Sequence, residues 1–399
     1  MTSSTPTPYP FEWTPLMEVP GRLRGLHERA RVDVRLPSGD TAVLVTRYAD
    51  VRKLLSDARL SKNLVRPGVA RISKDNDIFV DPEFDNDPPH HTARRRLVTR
   101  AFTARRIELL CPFAQSVTDE LLDAMASGPK PADLNEALAF PLPILVICKL
   151  LGVPADDRER FRGLVDGFLS VTKLPPEEVG ECRRGLWTYL GDLIEAKRAN
   201  PGEDLISSLI KVRDEDDGRL SEHELHVWTQ SLLIAGYATT ACQIGTGTAV
   251  LLHRSDLFEQ VRDDLSLVES TVEELLRTQL IGSSVGTLRY ALEDIELSDG
   301  SVLAAGTSVL LSKESANTDP AVFDDPFTVD IRRTENHHMT FGAGIHYCVG
   351  AALARMELQV ATETLLRRFP GIRLAVPAAE LRRGLGGFME GFSEVPVTW

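Results

Sequence analysis

The stretch Phe341-Gly342-Ala343-Gly344-Ile345-His346-Tyr347-Cys348-Val349-Gly350 sets one cysteine between two glycine-bearing turns, just ahead of a long helical run. A thiolate at a helix N-terminus is stabilised by unpaired N–H groups and by the positive end of the helix dipole. Such a thiolate is a strong electron donor to a metal. The glycines let the backbone approach a flat ligand closely and take conformations closed to other residues. No second cysteine or histidine lies nearby at zinc spacing, which argues against a zinc cage.

The rest of the chain reads as mostly helical. Amphipathic patterns cover Tyr48–Leu55, His91–Thr103, Ile107–Ala126, Leu142–Leu151, Asp156–Leu169, Glu177–Ala199, Glu203–Val212, Ser221–Arg254 and Ser266–Thr278. A further helix follows Cys348 and runs to Arg368, where Pro370-Gly371 stops it. A short helix is expected over Gly21–Ala30 and a long loop over Ser61–Asp81. Val32–Leu36 and Thr41–Val45 alternate around Pro37-Ser38-Gly39-Asp40, a hairpin signal, and several short strands are expected between Val285 and Leu311. No linker, repeat or low-complexity segment divides the chain. Residues 1–15, opening on the Ser/Thr/Pro-rich Met1–Pro10, read as a mobile tail before one domain over 16–399.

The formal charge of −13 disfavours nucleic acid as a main partner. No apolar run reaches a membrane span: Phe140–Leu151 is the longest candidate, and Pro141, Pro143 and Lys149 interrupt it. No signal peptide is evident. The five cysteines are widely spaced and odd in number, which predicts reduced thiols in a cytoplasm, with Cys111, Cys148, Cys182 and Cys242 as packing residues. A monomer is the default expectation.

The cysteine stretch matches, at every fixed position, the haem-thiolate signature Phe-Gly-x-Gly-x-His-x-Cys-x-Gly of the cytochrome P-450 superfamily. From about Val43 to Trp399 the chain resembles the soluble actinobacterial members of that superfamily. The resemblance implies a mainly α fold with small β-sheets, haem b as cofactor, and Cys348 as the proximal ligand of its iron, pushing electron density toward O–O cleavage. Phe341, Gly342 and Gly350 would frame the loop, and His346 would contact a haem propionate. The pair His91 and Arg95, four apart on one helix face, would bind one propionate, and Arg289 in Thr287-Leu288-Arg289 the other. Glu274 and Arg277 resemble the Glu-x-x-Arg motif that braces the cysteine loop. A third member would come from Asp330-Ile331-Arg332-Arg333, with Arg333 preferred to Arg332.

Leu232–Thr240 resembles the oxygen-binding kink of the central helix. There Gly236 would let the helix open beside iron, and Thr239 would offer a hydroxyl to bound dioxygen or water. Ala238 departs from the family pattern, which usually has a carboxylate at this point. Alanine cannot titrate, and oxygen cleavage needs two protons. Ordered water with Thr239 could suffice, the substrate could supply a polar group, or the outcome could be radical coupling rather than oxygen insertion. Neutral variation at a tolerant site also fits.

By resemblance, substrate contacts would include Val65, Phe168, Leu233, Ile234, Tyr237, Ile281, Ser283, Ser284, Val285 and Phe388, a mix suited to a compact, moderately polar ligand. The ending Glu394–Trp399, the run Ser315–Pro320 and Ala238 lean toward members that oxidise cyclodipeptides. The sharpest expectation is therefore oxidative coupling of a tryptophan-containing diketopiperazine. A hydroxylase of another antibiotic precursor is the broader one, and a haem-binding sensor the non-enzymatic one. The chain carries no flavin or iron–sulfur motif, so a ferredoxin and its reductase are implied. A basic patch at Arg94, Arg96, Arg105 and Arg355 would dock the ferredoxin.

Overall fold

A computed structural model describes residues 6–11, 23–72, 81, 83–170, 174–215, 220–278, 287–384 and 391–399. The chain forms two compact units: residues 1–92 with 273–348, and residues 93–272 with 349–399.

The first unit is built on a six-stranded sheet of order β1-β2-β3-β9-β6-β4. The predicted hairpin is there: β2 (Arg31–Arg35) pairs antiparallel with β3 (Thr41–Val45), with Val32 opposite Leu44 and Asp33 opposite Val43. β1 (Thr7–Pro8) lies parallel to β2, and Tyr9 and Phe11 are buried, so the segment expected to be a tail is anchored at these residues. β3 is buried at all but its first residue and pairs parallel with β9 (Ser308–Leu311). β6 (Leu288–Ala291) joins β9 to β4 (Leu60–Ser61) by antiparallel pairing. β7 (Ile295–Glu296) and β8 (Val302–Leu303) make a separate pair. Helix α1 (Tyr48–Leu54) and the short α11 (Lys313–Ala316) pack together. The core gathers Val45, Val51, Leu54, Ile295, Val309, Leu311, Phe323 and Met339. The helix expected over Gly21–Ala30 is reduced to one 3₁₀ turn at Leu26–Glu28 among its described residues.

The second unit is helical. Its centre is α8 (Glu222–His253), packed by α4 (Pro141–Leu151), α6 (Pro176–Ala199) and α12 (Ala351–Arg368). At 1.5 Å per residue, α8 is about 48 Å long. Its start is fixed by a capping box: the Ser221 hydroxyl accepts the Glu224 N–H at 3.1 Å, and the Glu224 carboxylate accepts the Ser221 N–H at 2.6 Å. Apolar residues surround α8 rather than forming one stripe, as expected of a helix enclosed by others. Around it stand α3 (Ala104–Ser127) against α12, α5 (Arg158–Phe168) against α6, and α7 (Leu205–Glu215). α9 (Ser255–Asp263) has no counterpart among the helices expected from the sequence. Two helices, α2 (His90–Ala101) and α10 (Val268–Thr278), carry residues of both units. A small sheet of β10 (Arg373–Leu374), β11 (Pro396–Thr398) and β5 (Ala132–Asp133) completes the second unit. Among the described residues, no helix is long and apolar enough to cross a membrane.

Candidate active site

The cysteine loop is a folded object in its own right. The Met339 carbonyl accepts the Gly342 N–H at 2.8 Å, and the Phe341 carbonyl accepts the Cys348 N–H at 2.9 Å. Gly342 and Gly344 hold φ of +75° and +68°, the left-handed region. At Gly344 a second reason excludes a side chain: a Cβ would sit 3.0 Å from the Leu55 carbonyl oxygen and closer still to Ser56 Oγ. Gly350 forms the N-cap of α12.

The loop is tied down by a buried network. Glu274 and Arg277 are both fully buried and pair bidentately, Nε to Oε2 at 2.8 Å and Nη2 to Oε1 at 2.7 Å. Arg277 also donates to the carbonyls of Asn317, Pro326 and Thr328 at 2.7–3.0 Å. Glu274 in turn accepts the Asp330 N–H at 2.8 Å and Asn336 Nδ2 at 3.1 Å. Arg333, not Arg332, reaches Glu274, at 3.3 Å, and Arg332 is exposed. Asn317 connects this pair to the loop. Its amide donates to the Arg277 carbonyl at 3.2 Å and to Thr340 Oγ1 at 3.0 Å, and its oxygen accepts the Met339 N–H at 2.7 Å. The Thr340 hydroxyl continues to the Leu276 carbonyl at 2.7 Å. The sequence reading named the two ends of this brace and missed Asn317 and Thr340. A buried asparagine has no periodicity or spacing to announce it.

The same unit holds a cationic cradle. Arg289 is 4 % exposed and donates only to the Leu288 carbonyl among the described residues. Burial pushes its guanidinium down to about 10, opposed by the charge of Asp87. Asp87 itself is engaged by Ser61 and by the Lys62 N–H. A buried guanidinium without a carboxylate on it calls for an anionic ligand. His91 is buried, and its ring lies 4.1 Å from that of His346. Arg95, half-buried on α2, belongs to the second unit.

In the second unit, Thr239 is half-buried and its hydroxyl donates to the Ala235 carbonyl at 2.7 Å, leaving its lone pairs free to accept. Gly236 serves packing: a Cβ there would meet Ile147 Cδ1 of α4 at 2.8 Å, and α8 is helical through this point. Ala238 is half-buried.

Of the expected substrate contacts, Leu233 and Tyr237 are 0 % and 1 % exposed and thus belong to the packed interior, offering no surface to a ligand. Tyr237 packs on Phe140, with Arg162 over the other ring. Burial, helped by the charge of Asp166, pushes the Tyr237 phenol well above its ordinary range. Phe168 is buried with Arg183 over its ring, Ile234 is half-buried and Val65 is exposed. Ile281, Ser283, Ser284, Val285 and Phe388 lie outside the described residues. Arg94 does not belong to a docking patch: it is buried and ion-paired with Glu224. Arg96 and Arg105 are exposed, and Arg355 is half-buried.

The cytochrome P-450 family profile matches residues 188–372. Over its whole length the chain is 43 % identical to the mycinamicin IV hydroxylase/epoxidase of Micromonospora griseorubida, likewise over that protein's whole length. The chain belongs to the cytochrome P-450 family. Its fold is that of a solved P-450, the thioether synthase SgvP described as involved in the tailoring step of griseoviridin: TM-score 0.93 at 42 % identity, covering 99 % of this chain and 100 % of that one. The nocardicin C N-oxygenase of Nocardia uniformis subsp. tsuyamanensis is 40 % identical over the full length of both chains.

The P-450 is therefore a monooxygenase-type oxidoreductase with thiolate-ligated haem, and the sensor alternative falls away. The residues fit the cofactor: one thiol in a braced loop for the iron, and a buried cation with two histidines for its carboxylates. When bound, the haem supplies the binding and activation of dioxygen.

Proposed function

We propose that this P-450 oxygenates a small-molecule antibiotic precursor, inserting one oxygen atom: substrate C–H, O₂, two electrons and two protons give C–OH and water. The observation that carries the reading is the complete proximal apparatus, from the Glu274–Arg277 brace through Asn317 and Thr340 to Cys348, in a chain aligned end to end with oxygenating relatives. In this reading Arg289, His91, His346 and Arg95 hold the propionates by charge and hydrogen bonds. Cys348, held by the braced loop, would ligate the iron as a thiolate. The Thr239 hydroxyl accepts a hydrogen bond from a water while donating to Ala235, which orders the proton donor that Ala238 cannot be. Electrons come one at a time from a ferredoxin reduced by its reductase, received at a surface that includes Arg96 and Arg105 but not Arg94.

None of the relatives named above is described as acting on a cyclodipeptide: their names describe hydroxylation and epoxidation, N-oxygenation and, for SgvP, thioether synthesis. Both readings, oxygenation and oxidative coupling of a tryptophan-containing cyclodipeptide, meet the same experiment. The ferric protein is titrated with mycinamicin IV, nocardicin C and a panel of cyclodipeptides while the Soret band is followed, and ligands that shift it enter turnover with ferredoxin and reductase. A product heavier by one oxygen supports the proposal. A dimeric product two hydrogens lighter than two substrates, with no oxygen gained, refutes it in favour of coupling.

A further inference from the structure

We propose that His338 positions the cysteine loop for iron ligation, through one defined tautomer of its ring held between Glu273 of α10 and the Thr340 N–H. Two histidines stand side by side at the entry to the loop, and the fold treats them differently. The His337 side chain is 70 % exposed and pairs with Glu335, itself 82 % exposed, a surface contact worth little. The backbone is anchored there instead, where the Tyr48 hydroxyl donates to the His337 carbonyl at 2.9 Å. The His338 side chain is 2 % exposed, and both of its ring nitrogens are engaged. Nε2 lies 3.1 Å from Glu273 Oε2, and the Thr340 N–H donates to Nδ1 at 3.3 Å. A backbone N–H only donates, so Nδ1 presents a lone pair. The ring proton then sits on Nε2 and is donated to the Glu273 carboxylate. The opposite tautomer would set donor against donor at Thr340 and acceptor against acceptor at Glu273.

The consequence runs along the chain to the cysteine. The Thr340 hydroxyl is already held, receiving the Asn317 amide at 3.0 Å and donating to the Leu276 carbonyl at 2.7 Å. His338 adds the acceptor for the Thr340 backbone. The next residue, Phe341, places its ring 6.0 Å from the His338 ring, and its carbonyl accepts the Cys348 N–H at 2.9 Å. Glu273 and Glu274 are successive residues of α10, so this helix grips the loop twice. Glu274 acts through the buried Arg277 and Asn317. Glu273 acts by orienting a ring that delivers one lone pair to one amide. Removing that lone pair leaves the amide unpaired, and the loop is free to trade the geometry that presents Cys348 for others.

The inference rests on haem-thiolate ligation, and its test has one readout that needs the haem and one that does not. Wild type, His338→Asn, His338→Gln and His338→Leu are compared at equal haem stoichiometry. Asn offers an oxygen near the Nδ1 position but stops short of Glu273. Gln reaches Glu273 but has only carbon at the Nδ1 position, and Leu offers neither group. The first readout is the reduced carbonyl spectrum, resolved into thiolate-shifted and unshifted Soret bands. The ratio of unshifted to shifted species is expected to rise about tenfold in Gln and Leu, and to stay near wild type in Asn. The second is amide hydrogen exchange of the peptide Met339–Cys348, read by mass spectrometry and expected to quicken about tenfold in Gln and Leu but not in Asn. Rescue by Asn is the result that a space-filling role does not give. Unchanged spectra and exchange in all three variants would make His338 a packing residue and overturn the proposal. A tenfold rise in all three would assign the effect to the shape of the ring, and Gln near wild type with Asn resembling Leu would assign it to the Glu273 bond; each overturns it equally. If Leu does not hold haem, the comparison of Asn with Gln still decides. A wild type lacking the shifted band would sink the haem-thiolate reading, while the exchange rates would still judge the His338 clamp.

Discussion

Replacing Glu274 by alanine removes the acceptor at the centre of the brace. Its carboxylate receives Arg277 twice, at 2.7 and 2.8 Å, the Asp330 N–H at 2.8 Å, Asn336 Nδ2 at 3.1 Å and Arg333 Nε at 3.3 Å. Arg277 would not swing out to water, because its Nη groups remain bonded to the carbonyls of Asn317, Pro326 and Thr328. The variant therefore keeps a guanidinium at 0 % exposure with its counter-charge gone. Breaking a buried pair in this way costs about 3–5 kcal/mol, a large share of the roughly 5–15 kcal/mol that holds a domain folded. Glu274→Gln keeps an oxygen for the Asp330 N–H but not the charge, and falls between. Arg333→Ala loses a longer, less buried contact and costs about 1–2 kcal/mol. The assay is urea unfolding at fixed haem stoichiometry, since haem binding itself adds stability, read by tryptophan fluorescence and by the Soret band. The reference is Arg254→Ala, whose pair with Asp256 is 38 % and 61 % exposed and worth about 0–1 kcal/mol. If Glu274→Ala unfolds no more easily than Arg254→Ala, the brace does not stabilise the loop.

Gly236→Ala overpacks α8 against Ile147 and costs about 1–3 kcal/mol. Adding Ile147→Val, which deletes the clashing methyl, restores most of it, and a double-mutant cycle by thermal unfolding reads the coupling. Arg94→Ala loses the ion pair to Glu224 and lowers the melting temperature, while the apparent KM for ferredoxin stays at the wild-type value; a raised KM would return Arg94 to the docking surface. Gly344→Ala forces a side chain toward Ser56 at a positive φ, at a cost of about 1–3 kcal/mol, and is measured as faster haem loss to apomyoglobin. Glu357 on α12 is buried, its Oε2 has no hydrogen-bond partner among the described residues, and burial holds its carboxyl well above the usual range. The folded state thus keeps a proton that the unfolded chain releases. The stability this brings is fully present below the unfolded carboxyl value and is lost as pH rises toward the raised one, at up to about 1.4 kcal/mol per pH unit. Glu357→Gln flattens that slope, and parallel stability–pH curves for the two proteins would contradict the account.

What the sequence made legible follows from where its signals are local. The β2–β3 hairpin was readable because Pro37-Ser38-Gly39-Asp40 and two alternating runs act within fifteen residues of one another. The cysteine loop was readable because its glycines are required by positive φ and by a close approach, constraints that few residues satisfy. Asn317 and Thr340 were not readable. Each acts through a backbone carbonyl or amide that any residue could supply, so the partner leaves no trace in the sequence. Leu233 and Tyr237 went wrong for a related reason. On a helix enclosed all round, periodicity does not say which face meets a cavity and which meets α4.

The charges of the first unit explain why its motif carries so much of the identification. Its buried acids are hydrogen-bonded within the unit: Glu274 by Arg277, Arg333 and two amide donors, Glu314 by two hydroxyls, Asp50 by Ser298, and Asp319 by the Tyr48 and Ala321 N–H groups. Arg289, by contrast, receives no hydrogen-bonded carboxylate among the described residues. Left to itself, the unit holds one guanidinium in its interior with no carboxylate on it among the described residues, at a cost that hydrophobic burial would have to offset. A haem brings the compensation, because its propionates need cationic partners. Cofactor binding and folding are then coupled through electrostatics, and the coupling has a sign. Arg289→Ala removes an unpaired buried cation from the apoprotein but a propionate partner from the holoprotein. It should leave the apoprotein no less stable while weakening haem retention at least tenfold, about 1.4 kcal/mol. Equal destabilisation of both forms in urea unfolding would show that Arg289 is a packing residue whose charge is balanced without the haem.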